Sequence, residues 1–148
     1  MDRIRLIAFI SVAALLTLCY FIYTAIYPGD RFYKQDFTEV SGVDFSDSGE
    51  ILWKKATYPD QFGDYESLSM IKVSPDFYHS LPDHLIGKGF KEGPNTIYSS
   101  ALNDLRQELR GRTISTEFVL ETQKAGAVIY YVGFLSDHET LIVQRMSW

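Results

Sequence analysis

The histidines His79, His84 and His138 are the side chains of this 148-residue chain best suited to binding a metal or moving a proton near neutral pH. His79 and His84 are five positions apart with a proline between them, so they do not share a helix face as an H-x-x-x-H pair does. The single cysteine, Cys19, lies in an apolar segment, so the remainder of the chain offers no thiolate to a zinc site. We therefore predict no metal and no cofactor, with His79, Asp83 and His84 as the weaker metal-binding alternative.

Motifs for nucleophilic catalysis and phosphate binding are missing from the sequence. It contains no G-x-S-x-G, no G-x-x-x-x-G-K-[ST] and no G-x-G-x-x-G. The stretch Gly87–Phe90 (GKGF) lacks the spacing that cradles a phosphate and is more typical of the end of a helix. Carboxylates are numerous, but the sequence does not select a catalytic pair. We predict no catalytic residue, and we keep an enzyme that uses carboxylate chemistry as the alternative.

A loop that mixes aromatic and acidic residues is the strongest candidate for binding. It reads YPDQFGDYE and falls between two predicted strands. Exposed aromatic rings on loops make rigid contacts that often dominate protein interfaces. Their alternative role is structural, since the rings could fold back over the sheet edge. The candidate binding residues are Tyr58, Phe62, Asp64 and Tyr65.

The charge balance of the chain argues against nucleic acid as a partner. It has 14 Lys and Arg against 19 Asp and Glu, a formal net charge of −5 at pH 7. A protein that binds a phosphate backbone presents a basic surface instead. We therefore expect a protein partner.

The apolar segment from Leu6 to Tyr27 contains no charged residue. As a helix rising ~1.5 Å per residue, it would be ~33 Å long and would cross a hydrocarbon core of ~30 Å. A cleavable signal peptide has a shorter apolar region, roughly 7–15 residues, and ends in a small-x-small site that is missing here. Leu18 precedes Cys19 where a lipid-attachment signal needs a small residue. The segment is predicted to stay in the lipid bilayer as a signal-anchor.

The orientation of this anchor depends on the basic residues beside it. Arg3 and Arg5 lie within three residues of the apolar segment, whereas Arg31 and Lys34 lie further from its other end. Because the more closely flanking Lys and Arg residues favour the cytoplasm, we expect a single-pass protein of the cytoplasmic (inner) membrane. Its predicted parts are a cytoplasmic tail at 1–5, the signal-anchor at 6–27, a short linker at 28–33 and an extracytoplasmic domain at 34–148.

Sequence patterns of the domain predict helices and strands in mixed order. Ser74-Pro75 and Ser99-Ser100 mark helix starts, with Pro82 expected to bend or interrupt the first helix. Leu102, Leu105 and Leu109 form one apolar stripe of the second helix. A third helix of one or two turns is predicted before Gly42. Strands are predicted at Glu50–Pro59, Tyr65–Ser74, Ile114–Glu121, Ala127–Leu135 and Thr140–Trp148.

The last three predicted strands are joined by two short turns, QKAG and SDHE. Such spacing indicates an antiparallel meander. Its middle strand is apolar on both sides, and we expect helices over one face. We therefore predict an α+β fold in which a transmembrane helix precedes an antiparallel sheet of about five strands, packed by two or three helices.

Together these features predict a membrane-anchored, non-catalytic binding module of a bacterial envelope. Ser41-Gly42, the ILWKK strand and the FGD turn are similar to segments of small bacterial envelope proteins, a resemblance that implies no activity and no site residues. An immunity-type protein that neutralises a toxin is one version of this module. The alternatives are an envelope enzyme and an accessory subunit of a membrane complex.

Overall fold

The computed structural model of this chain describes residues 3–45, 49–57, 65–94, 99–122 and 128–147. The described elements confirm the α+β class, with six strands where the sequence predicts about five. The additional strand has only two residues, too few to show a period of two. The elements are α1 (Arg3–Ile26), α2 (Asp30–Ser41), β1 (Glu50–Ala56), β2 (Tyr65–Lys72), α3 (Pro75–Lys88), β3 (Lys91–Glu92), α4 (Ser100–Glu108), β4 (Ile114–Thr122), β5 (Val128–Leu135) and β6 (Thr140–Ser147).

The six strands form one antiparallel sheet in the order β1-β2-β6-β5-β4-β3. The predicted meander of β4, β5 and β6 is confirmed, with Val132 of β5 opposite Phe118 on one side and Val143 on the other. The hairpin of β1 and β2 joins the free edge of β6, where Ser67 lies opposite Arg145. This long-range pairing brings the start of β2 beside the end of the chain.

Helices cover both faces of the sheet, not the single face that we expected. Buried residues of α2 and α3 pack on one face, together with Ile71, Val132 and Val143. Buried residues of α4 pack on the other face, against Leu68 and Ile142 among others. Because β5 lies between these two layers, both sides of the strand are buried and apolar.

Helix α3 begins and ends as the sequence predicts. The Ser74 hydroxyl accepts a hydrogen bond from the Phe77 N–H, and Gly89 adopts a left-handed φ of +99° at the C-terminus. The helix continues through Pro82, which removes one backbone hydrogen bond without ending it. Buried Leu81 and Leu85 hold the helix on the sheet on either side of the proline.

Helix α4 has the cap and the apolar face that its sequence predicts. The Ser99 hydroxyl accepts a hydrogen bond of 3.0 Å from the Leu102 N–H. Leu102 and Leu105 are buried, and Leu109 packs against the same cluster just after the helix ends. The apolar stripe therefore belongs to the core.

Helix α2 is longer than its sequence pattern indicates. It has 12 residues and begins at Asp30, inside the segment predicted as a linker. Its buried side combines Tyr33, Phe37 and Val40 with the acidic Asp36. The polar residue interrupts the apolar stripe, so the helical periodicity of this segment is weak in the sequence.

Candidate functional site

Two carboxylates of α2, Asp36 and Glu39, meet an arginine of the sheet. Arg145 of β6 donates from Nη1 to Asp36 Oδ1 at 3.4 Å and to Glu39 Oε2 at 2.8 Å. Asp36 is only 6% exposed, whereas the Glu39 side chain is 46% exposed. Helical spacing of three residues places both acids on one side of α2, and the β2–β6 register places the arginine beneath them. We call these residues and their hydroxyl neighbours the Asp36–Arg145 cluster: Tyr33, Asp36, Glu39, Tyr65, Ser67, Tyr130 and Arg145.

Hydroxyl groups of the sheet complete the contacts of both acids. Ser67 donates from its Oγ to Asp36 Oδ2. Tyr130 of β5 donates from its hydroxyl to Glu39 Oε1 at 3.2 Å. Each carboxylate is thus held by the arginine and by one hydroxyl group, so the cluster joins α2 to three strands.

Burial is the main cause of the altered proton affinities in the cluster. It raises the pKa of Asp36 above its ordinary value, although Ser67 and Arg145 act in the opposite direction. Burial and the nearby Asp36 charge raise the pKa of Tyr33 to about 12, and burial with Glu39 raises the pKa of Tyr130. These phenols are therefore neutral at physiological pH and can donate hydrogen bonds. The cluster thus joins the buried acid Asp36 and the exposed acid Glu39 to one cation, with Ser67 donating to Asp36 and Tyr130 donating to Glu39.

Lys88 connects the end of α2 to α3. Its Nζ donates to the carbonyl oxygens of Glu39 at 2.7 Å and Val40 at 2.8 Å. These carbonyls lie in the last turn of α2, where no further helical N–H is available to them. Burial lowers the pKa of Lys88, and its Nζ also lies 5.8 Å from the centre of the Tyr130 ring. The helix is thus tied to the domain through its inner face and its C-terminus.

Of the four predicted binding residues, the structure describes Tyr65 alone; Tyr58, Phe62 and Asp64 lie outside the described residues. Tyr65 is the first residue of β2 and is partly buried. Its ring meets Phe32 of α2 edge to face at 6.0 Å between centres. Its hydroxyl is buried beside the Ser67 hydroxyl, and burial raises its pKa. The ring thus contacts α2, and a binding role for the loop stays a prediction.

Two of the histidines meet through the tertiary structure. The rings of His79 on α3 and His138 in the β5–β6 turn stack at 5.7 Å, beside Tyr78. His84 lies further along α3 and is exposed. Within the described ranges, no three His, Cys, Asp or Glu side chains are close enough to hold a metal ion. Sequence spacing could not predict the stacked pair, because it depends on packing of the turn against α3.

The outer side of α2 borders a shallow groove of ≈ 370 Å³. The segment after Gly42 forms the other wall, and Lys34 Nζ lies 5.0 Å from the centre of the Phe45 ring. The sequence contains no signal for this groove, because the position of Phe45 depends on the turn that follows α2. The lining residues are Arg31, Lys34, Gln35, Thr38, Asp44 and Phe45.

Compared with known proteins, the chain matches no family model, no curated protein and no solved structure, so its function has to be inferred from its own residues.

Proposed function

We propose that this chain is a single-pass membrane protein whose domain outside the cytoplasm binds a protein partner without catalysing a reaction. The observation that carries the proposal is the exposure of α1. Its segment Arg5–Thr24 has a mean hydropathy of 2.3, and none of the segment is buried against the rest of the protein. Side chains such as Phe9 and Leu16 are 70% and 64% exposed. Exposure of this apolar surface to water would be strongly unfavourable. In a bilayer, the same surface would be solvated by lipid.

The core of the domain supports the division into an anchor and a separate module. Both apolar clusters are built from residues of α2 and of the elements that follow it. Helix α1 contributes to neither cluster, so the described core does not require it. The helix is therefore suited to anchoring the domain.

Binding is favoured over catalysis because the clustered titratable groups of the domain are engaged with one another. Asp36, the carboxyl group with the raised pKa, lies under α2 in contact with Ser67 and Arg145. Asp36 is only 6% exposed, so little of its carboxyl group is accessible to a substrate while α2 packs on the sheet. The raised pKa is nevertheless the feature that an acid–base enzyme would share, so an envelope enzyme using carboxylates remains the second candidate.

An accessory subunit of a membrane complex is the third candidate. The exposed surface of α1 favours it, since a helix of another subunit could take the place of lipid. The segment from Leu6 to Tyr27 contains no glycine, so it lacks the GxxxG pattern of close helix pairs. The position of the domain on one side of the membrane can be tested independently of its partner.

Cysteine labelling should show the domain outside the cytoplasm. Because Cys19 is the sole cysteine, a Cys19→Ser chain accepts single new thiols without background labelling. In intact spheroplasts, a membrane-impermeant maleimide should label Ser80→Cys, since Ser80 is exposed on α3. It should label Asp2→Cys only after permeabilisation. The reverse pattern would place the domain in the cytoplasm and contradict the proposed orientation.

Loss of two aromatic rings from the 58–64 loop should release the partner. We expect Tyr58→Ala combined with Phe62→Ala to reduce affinity more than tenfold, since truncated aromatic hot spots cost ~2 kcal/mol or more. In-cell cross-linking should capture the partner with the parent chain and lose it with this variant. Tyr65 is kept, because its ring packs against Phe32.

The matched control removes exposed apolar surface elsewhere on the domain. Leu52 and Ile86 are 38% and 56% exposed, and changing both to Ala should leave the cross-linked product in place. The melting temperature of the loop variant should stay close to that of the parent. A loop variant that keeps its partner, or that unfolds, would show that these rings are structural.

A further inference from the structure

The basic side of α2 lies close to the end of the membrane helix. Helix α1 ends at Ile26 and α2 begins at Asp30. Arg31 follows Ile26 by five residues, so their Cα atoms are at most about 18 Å apart. The polar headgroup layer on each side of a bilayer is roughly 5–7 Å thick. If α1 spans the membrane as proposed, the first turn of α2 is within reach of lipid headgroups.

Packing fixes which side of α2 is turned away from the domain. Tyr33, Phe37 and Val40 are buried against the sheet, so the helix cannot rotate about its axis. The opposite side carries Arg31 and Lys34 into the groove described above, together with the amide of Gln35 and the hydroxyl of Thr38.

The two cations of this groove are available to a ligand. Among the residues that the structure describes, neither Arg31 nor Lys34 forms an ion pair, whereas the neighbouring Lys54 is paired with Asp30. Lys34 is positioned over the Phe45 ring, which leaves its ammonium group free to donate hydrogen bonds. Asp44 is the single acidic residue among the described residues of the lining. The groove therefore combines a net positive charge with an apolar wall.

We propose that this groove binds the headgroup phosphate of an anionic phospholipid, an inference that rests on the membrane anchorage proposed above. Arg31 and Lys34 would donate to the phosphate, and Phe45 would contact the adjoining glycerol carbons. The chain as a whole carries −5, so an anionic membrane repels most of its surface. A cationic groove beside the anchor draws this side of the domain to the bilayer. The lipid contact would thus hold the domain in one orientation.

Lipid binding to the full-length chain tests this proposal. Native mass spectrometry of the detergent-solubilised chain should show preference for phosphatidylglycerol over phosphatidylcholine. Arg31→Gln combined with Lys34→Gln should weaken phosphatidylglycerol binding about 25-fold, since each cation at an anionic surface contributes roughly fivefold. Asp44→Asn should strengthen it, because it removes the opposing charge.

The matched control removes two exposed cations at other sites, with Lys91→Gln and Arg110→Gln. This control should keep the preference for phosphatidylglycerol. Equal losses in both double variants would overturn the proposal, as would equal binding of both lipids by the parent. Binding of soluble glycerophosphoglycerol as tight as that of the lipid would show a site for free phosphate esters instead. Resistance of the chain to carbonate extraction is measured in parallel, and a chain released by carbonate would contradict the membrane anchorage itself.

Discussion

Leu105→Asp should abolish the cooperative unfolding transition of the domain. Leu105 is fully buried in α4 against Leu68, Tyr131 and Ile142. A carboxylate there would have no cation to pair with in this apolar cluster, and burying it costs several kcal/mol. A small domain has a total stability of only about 5–15 kcal/mol. Thermal and chemical denaturation of residues 28–148, monitored by circular dichroism, should detect the loss.

Gln107→Asp is the matched control, because Gln107 is exposed on the same helix. It should change the free energy of unfolding by no more than ~0.5 kcal/mol, as most surface substitutions do. The stability of Leu105→Ala should fall between those of the two Asp variants. We expect a loss of roughly 2–5 kcal/mol in the free energy of unfolding, because the shorter side chain leaves a cavity. If Leu105→Asp melts at the temperature of the parent, α4 does not pack on the sheet and the architecture is wrong.

Arg145→Met should destabilise the domain by about 3 kcal/mol at neutral pH, because it leaves the buried Asp36 carboxylate without its cation. This value is at the low end for a broken buried pair, since the Arg145 side chain is 28% exposed. The lost contact with Glu39 contributes little to this destabilisation, because water screens the exposed Glu39 carboxylate. Denaturant unfolding of residues 28–148 measures the difference.

The stability lost by Arg145→Met should become smaller as the pH falls. Burial already raises the pKa of Asp36, and removing the arginine takes away a group that lowers it. The folded variant therefore holds the proton of Asp36 more tightly than the unfolded chain does. The stability that the variant gains from protonated Asp36 is fully present below the pKa that Asp36 has in the unfolded chain. It is lost as the pH rises through the higher pKa that Asp36 has in the folded variant.

A double variant separates the charge from the packing of the arginine side chain. Asp36→Leu combined with Arg145→Met replaces the ion pair by apolar groups, which is often neutral or stabilising. It should recover most of the stability lost by Arg145→Met at neutral pH. If the double variant is as unstable as the single variant at every pH, the arginine acts through the packing of its stem and not through its charge.

The sequence was sufficient for the elements whose signals are local. The length of the uncharged segment predicted α1, and the Ser99 cap with the leucine stripe predicted α4. Two short turns joining three predicted strands predicted the β4–β5–β6 meander. Each of these signals lies within one element or between neighbouring elements. Helix capping and side-chain periodicity within these short stretches determine such elements directly.

The tertiary structure decided the features that combine distant segments. Asp36 lies on the buried side of α2, and its partner Arg145 became apparent only once β2 paired with β6. The groove of Lys34 and Phe45 likewise depends on the turn after α2. A buried carboxylate, a stacked histidine pair and a groove arise from register and packing between segments far apart in the chain. Periodicity and capping within one segment contain no information on these contacts.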